Sequence, residues 1–231
     1  RLFHHQLHQR ALGAAAQRVL QRLELAAKDG HFTEQAARFR FAVAHCANVR
    51  VGENRRRNEV VAQLAFAFAE QVIDQHWAIM GKYDPEHHTK LVIDEWGNWY
   101  HGGTELGPHY IYSQAITLRD ALHAAMTFDI FNRHADRIAM ANVAQTINCL
   151  HSLFAAVGDK YTRTPVYSTF ELYRPHMGGR RVPFASTVRD LEVPVLDGET
   201  TLPGLSGSAS VRNDVLTVTL TNPSLQDALA T

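Results

Sequence analysis

An α/β segment followed by an all-β tail is the fold class this sequence predicts, and three observations carry the prediction. A short apolar run, Leu91-Val92-Ile93, ends in the carboxylate pair Asp94-Glu95 and reads as a fully buried strand, being too short for a helix. Segments with apolar residues at helical spacing flank it on both sides, which is the pattern of β/α units with a parallel sheet. After Pro175 the helical spacing gives way to alternating strands and turns. These shifts divide the chain into a helical segment over 1–60, a β/α part over 61–175 and a β-sandwich part over 176–231.

Residues 1–60 read as helix, with Leu7, Ala11, Ala14, Val19, Leu23 and Leu25 near a helical period, Gly30 as a C-cap and no defensible strand. His4, His5 and His8 fit a solvated end better than a metal site. A helix is expected over Val60–Met80, with Leu64, Phe68, Val72 and Ile73 on one face, closed by the turn Lys82-Tyr83-Asp84-Pro85. Lys90–Asp94 is the strand, and Trp96–Tyr110 a Gly-rich loop. Ser113 or Thr117 caps the next helix, which runs to Arg133 with Leu118, Leu122, Met126 and Ile130 as its core stripe. Arg137–Ala141 is a second short strand, and Asn142–Val157 a helix closed by Gly158 at C′. Thr164-Pro165 opens a helix through Val166, Phe170 and Tyr173. Four strands follow at Val182–Phe184, Leu191–Leu196, Leu205–Val211 and Val215–Thr221, with Asn213-Asp214 as the hairpin turn of the last pair. Four strands leave edges unpaired, so the sandwich reads as incomplete.

Composition narrows the partners. The 231 residues are 45% hydrophobic, which suits a globular chain with a sizeable core. With 23 basic and 23 acidic residues the formal charge is zero, and no footprint for nucleic acid or an anionic membrane appears. Arg55-Arg56-Arg57 is a solvated patch. Cys46 and Cys149 lack CxxC spacing, so reduced thiols are expected in place of a disulfide framework or zinc site, and the cytoplasm as the compartment. No run of 18 apolar residues occurs. The chain opens on Arg1 and its first methionine is Met80, so Arg1 is expected not to be the natural start.

The residues at the end of the first strand carry the chemistry. Asp94-Glu95-Trp96-Gly97-Asn98-Trp99-Tyr100 sets a carboxylate pair beside three large aromatics, the residue types that attack an anomeric carbon and stack on sugar rings. Parallel β/α units with such strand ends suggest a (β/α)8 TIM barrel, whose active site lies at the carboxyl ends of its strands. A retaining glycosidase needs two carboxylates about 5 Å apart. Asp94 and Glu95 cannot be that pair, because adjacent strand residues point to opposite faces. A solvated strand end is the plain alternative.

Lys90-Leu91-Val92-Ile93-Asp94-Glu95-Trp96-Gly97-Asn98-Trp99-Tyr100 resembles the nucleophile strand of the α-L-arabinofuranosidases of glycoside hydrolase family 51. Ala78–Pro85 resembles the helix and turn before that strand, and Met140–Asn148 the eighth barrel strand with its following helix. Thr164–Tyr167, Phe170–Tyr173 and Leu220–Pro223 resemble the link and the C-terminal sandwich. The resemblance runs from Phe66 to Thr231, roughly 70% of the chain. It implies a retaining exo-glycosidase acting on terminal α-L-arabinofuranosyl residues of arabinan, arabinoxylan or oligosaccharides, with no metal or organic cofactor and a homo-oligomeric parent. Glu95 would be the nucleophile. Trp99, Trp96, Gln145 and Asn142 would contact the sugar, while His101 and His109 are weaker candidates.

The family's acid/base glutamate follows an Asn three β/α units upstream, each of about 30 residues or more. Asn58-Glu59 lies only 36 residues before Glu95 in a helical, Arg-rich context, and is rejected. The chain therefore reads as a C-terminal piece that lacks the acid/base partner and has little activity alone. A non-catalytic carbohydrate-binding or interaction module, using the same aromatics, is the alternative.

Overall fold

The computed structural model describes residues 69–99, 105–107, 112–195 and 198–224, together with a strand, β1, at Arg38–His45. Apart from β1, the expected helical course of 1–60, the start of the next helix, Asn58-Glu59, His101 and His109 lie outside the described residues. Strand β1 corrects the all-helical expectation for the first segment. Phe39, Phe41 and Val43 alternate with Arg40, Ala42 and Ala44, a period of two that marks a strand.

Helix α1 is described over 69–80 and buries Ile73 with Val72 half-buried beside it, on the expected face. It ends before Pro85 is reached, where Lys82 N–H donates to Ile79 O and Tyr83 N–H to Met80 O, i→i−3 bonds that tighten the last turn. Strand β2 (Leu91–Trp96), helix α2 (Leu118–Arg133) and strand β3 (Ile138–Val143) then form a β–α–β unit in which β2 and β3 pair in parallel. Thr117 is the N-cap of α2, and Asp120 reaches back to accept Thr117 N–H at 2.8 Å, the reciprocal half of a capping box. Leu122, Met126 and Ile130 are buried as the spacing predicts. Glu70 of α1 joins the unit to the end of α2 through Arg133 and His134, both at 2.6 Å.

The β2–β3 pair is not fully buried, as the apolar run suggested. Val92 and Met140 are about half exposed, and among the described residues no further strand pairs with either edge. The main core lies on the other side, where Ile73, Trp96, Met126, Ile130, Phe131 and Val166 cluster.

Residues 142–157 depart most from expectation. Asn142 and Val143 finish β3, an irregular segment follows, and Phe154–Val157 is strand β4, paired in a hairpin with β5 (Lys160–Arg163). The apolar spacing of Val143, Ile147, Leu150, Phe154 and Val157 imitates a helix. Positive φ at Asn148 and Leu150 breaks any helical course. The Asn148 side chain also bonds both the N–H and the C=O of Ala156 at 2.7 Å, which competes with a helical ladder. Gly158, at φ +60°, is thus the first residue of a two-residue hairpin turn and not a helix C′. Helix α3 (Pro165–Tyr173) begins at Thr164-Pro165 as expected.

In the tail, β6 (Arg180–Val182), β9 (Ser206–Arg212) and β10 (Val215–Asn222) join β1 in a four-stranded sheet of order β1-β10-β9-β6. Asn213 and Asp214 both take positive φ in the β9–β10 turn, as a type I′ turn requires. The hairpin β7 (Leu191–Val195) with β8 (Gly198–Leu202) stands apart from this sheet, and β8 is a strand beyond the four expected. The two faces of β9–β10 differ in chemistry. Ala209, Leu216, Val218 and Leu220 form an apolar core with Leu205, Val182, Phe184 and Val188. The opposite face presents Ser206, Ser208, Ser210, Thr217, Thr219 and Thr221, all buried. Asp129 of α2 takes Ser206 and Ser208 hydroxyls at 2.6 Å each and the Tyr173 hydroxyl at 2.8 Å. Among the described residues this face is thus covered by helices α2 and α3.

Candidate active site at the end of strand β2

The parallel register of β2 and β3 is broken where the carboxylates lie. Ile93 pairs with Ala141 and Trp96 with Val143, so β2 carries one residue more than β3 between these points. Such a bulge re-aims side chains. Asp94 and Glu95 are both exposed as a result, in spite of their adjacency in a strand. Glu95 therefore presents a solvated carboxylate at the carboxyl end of a parallel strand, the position expected of it.

The aromatics that follow divide into two roles. Trp96, only 9% exposed, belongs to the core. Its ring lies edge-on to Phe128 and Phe131 at 5.2 and 5.5 Å and parallel to Phe170 at 6.0 Å. A ring packed on these sides has no face for a sugar, so the expected contact by Trp96 is corrected to a supporting role. Trp99 is 58% exposed and pairs with Tyr112, itself 48% exposed, at 5.3 Å between ring centroids. Tyr112 escaped sequence reasoning because it lies 13 residues after Trp99 with no motif around it. Tyr100 lies outside the described residues.

Asn142 is exposed near the end of β3, and Gln145 is exposed two residues beyond that strand. Gln145 N–H donates to Cys149 O at 3.4 Å, closing a loop whose Cys149 thiol is pushed up by burial and then by the negative charge of Glu95. Leu150 N–H donates to Tyr112 O at 2.5 Å. The structure thus gathers Glu95, the 145–150 loop and the Trp99–Tyr112 pair at one edge of the β2–β3 unit.

Beneath the surface lies a buried polar layer that the sequence did not announce. Asn98 donates through Nδ2 to Asp120 Oδ1 at 3.2 Å, and its backbone N–H donates to His151 Nδ1 at 3.4 Å. His123 stands edge-on to His151 at 5.5 Å. Burial, then the neighbouring His151, holds its pKa down at about 3, so His123 is neutral near pH 7. Among the described residues no group of three His, Cys, Asp or Glu could hold a metal ion. A surface groove lined by Val188, Asp190, Leu191, Gly204 and Ser224 includes none of the residues singled out from sequence. No described helix is long and apolar enough to cross a membrane.

The comparisons with known proteins fall on the same region. Residues 94–228, which begin one residue before Glu95, match the family described as the α-L-arabinofuranosidase C-terminal domain. An intracellular exo-α-L-arabinofuranosidase of Bacteroides ovatus is 35% identical over 162 residues, which are 69% of this chain and 30% of that protein. The crystal structure of a family 51 arabinofuranosidase from Xanthomonas axonopodis pv. citri superposes with a TM-score of 0.60 at 32% identity, over 80% of this chain and 37% of that one. A family 51 α-L-arabinofuranosidase from Bifidobacterium longum shares the fold at 18% identity, with a TM-score of 0.52 over 77% of this chain and 36% of that one. The chain spans about a third of the length of these relatives. With the family match covering more than half of the sequence, and beginning at the carboxylate pair of β2, the chain belongs to the α-L-arabinofuranosidases of glycoside hydrolase family 51.

Proposed function

We propose that this chain supplies the nucleophile of a retaining exo-α-L-arabinofuranosidase, with Glu95 attacking the anomeric carbon of a terminal arabinofuranosyl residue. The observation that carries the reading is the placement of Glu95, exposed in a bulge at the carboxyl end of a parallel strand beside the Gln145 loop. In this mechanism the carboxylate displaces the leaving alkoxide to give a covalent arabinosyl ester, and water later cleaves that ester with overall retention. Trp99, Gln145 and Asn142 are proposed to contact the sugar, with Tyr112 extending the stacking surface. Trp96 supports the strand from below. On this reading β2 and β3 are two strands of a (β/α)8 barrel, and the substrates are arabinan, arabinoxylan or arabino-oligosaccharides. The name of the Bacteroides relative supports an intracellular setting.

The acid/base carboxylate is not assigned to any residue of this chain. General acid assistance contributes typically 10²–10⁴-fold, so the 231-residue chain alone is expected to turn over ordinary arabinosides little or not at all. An activated aryl α-L-arabinofuranoside isolates the nucleophile, because 2,4-dinitrophenolate leaves without protonation. The expected result is one arabinosyl adduct on the peptide carrying Glu95, absent in Glu95→Gln. An adduct on another carboxylate, or none with bound sugar, would reject Glu95 as nucleophile. The exposed Trp99–Tyr112 pair favours a second reading, a module that binds arabino-oligosaccharides without chemistry. In that case Glu95→Gln leaves binding unchanged and no adduct forms.

A further inference from the structure

We propose that His151 is the positioning residue of this site, holding the Glu95 strand end and the Gln145 loop in fixed register from below. The inference rests on the reading that Glu95 and Gln145 serve one substrate. His151 is fully buried and meets both segments. Towards the nucleophile, Gly97 takes φ +143°, and a Cβ there would lie 2.6 Å from His151 Cβ, so the loop after Glu95 is seated directly on this side chain. His151 Nδ1 accepts Asn98 N–H at 3.4 Å and lies 3.7 Å from Asp120 Oδ1, which also accepts the Asn98 amide. The Trp96 ring packs on its imidazole at 5.7 Å. Both Trp96 and Asn98 are thereby fixed, and Glu95 immediately precedes Trp96.

Towards the loop, His151 N–H donates to Ala144 O at 3.1 Å, and Ala144 N–H donates to Trp96 O at 2.9 Å. The six residues between Ala144 and His151, Gln145 among them, therefore start and finish on the same anchor. A loop closed at one residue cannot drift from the strand that the same residue carries.

The test reads geometry without turnover. With Cys46→Ser leaving Cys149 as the single thiol, the rate of iodoacetamide alkylation reports the field of Glu95 at the loop. Removing the negative charge with Glu95→Gln should raise the rate at pH 8 about twofold. In His151→Ala the same Glu95→Gln step should lose most of that effect. His151→Gln, whose amide oxygen can accept Asn98 N–H, should restore it in part. An undiminished twofold effect in folded His151→Ala, or no recovery in folded His151→Gln, overturns the proposal, as does no effect of Glu95→Gln in the parent chain. Failure of the arabinosidase reading would appear instead in the labelling of Glu95, which this measurement does not use.

Discussion

Gly97 shows how tightly a single residue is specified here. Its φ of +143° is strained for any residue with a Cβ, and the nearest obstacle is the fixed Cβ of a buried side chain, not a flexible tip. Gly97→Ala is expected to cost about 3 kcal/mol, combining backbone strain with overpacking. Urea denaturation followed by fluorescence would measure it, and a loss under about 1 kcal/mol would mean that the loop is not seated on His151. Trp96→Ala should cost about 3–5 kcal/mol, because a large aromatic leaves a cavity among Phe128, Phe131 and Phe170. Trp99→Ala, by contrast, removes an exposed ring and should change stability by about 0.5 kcal/mol or less while weakening any sugar affinity. The exposed carboxylate pair Asp94-Glu95 was legible in the sequence because carboxylates after a short apolar run stand out. The division of labour between Trp96 and Trp99 was not, since it depends on the one-residue bulge in β2 and on which rings approach from α2 and α3.

At the scale of elements, the seam between helices α2 and α3 and strands β9 and β10 is polar. Asp129 accepts three hydroxyl hydrogen bonds, and His176 lies 2.8 Å from Ser210 Oγ and 3.1 Å from Thr219 Oγ. Burial, opposed by those three hydroxyls and by Arg133, pushes the Asp129 carboxyl up to about 6. A folded-state value above the unfolded one means that its stabilising contribution is full below about pH 4 and is lost as pH rises through about 6. Asp129→Asn does not titrate, so its stability penalty should be larger at pH 4.5 than at pH 7.5 by about 2 kcal/mol. Paired urea titrations at the two pH values would show this, and an equal penalty would place the Asp129 carboxyl near its ordinary value in the fold. The alternation of β9 and β10 was readable, since Ser and Thr recur at every second position. Which face they turn to the helices was not, because alternation is symmetric until something packs on one side. The failure over 142–157 has the same root. Apolar spacing alone does not distinguish a helix from a loop and hairpin when one asparagine side chain can bond both backbone groups of Ala156.

For the molecule as a whole, α2 is the shared wall of two cores. Met126, Ile130 and Phe131 belong to the core beneath the candidate site, while Asp129 and Asn132 face the C-terminal sheet. Acid should therefore act on both parts through buried histidines. Burial holds His176 at about 4, and burial with His151 holds His123 at about 3. Both values lie below that of an unfolded histidine, about 6.5, so the fold excludes protons that the unfolded chain binds. Their contribution is present above about pH 6.5 and is lost progressively as pH falls towards 4 and below, the sign opposite to that of Asp129. Two depressed histidines outweigh one raised carboxylate in this window, so net stability should fall from pH 6.5 to pH 4. Replacing His123 by glutamine, which keeps a polar amide and does not titrate, should flatten the slope of unfolding free energy over this range. The slope of His176→Gln should fall as well, and the double variant should show the sum if the two sites are independent. A wild-type stability that rises on acidification would mean that Asp129 dominates the linkage and that the histidines are not held neutral by their burial.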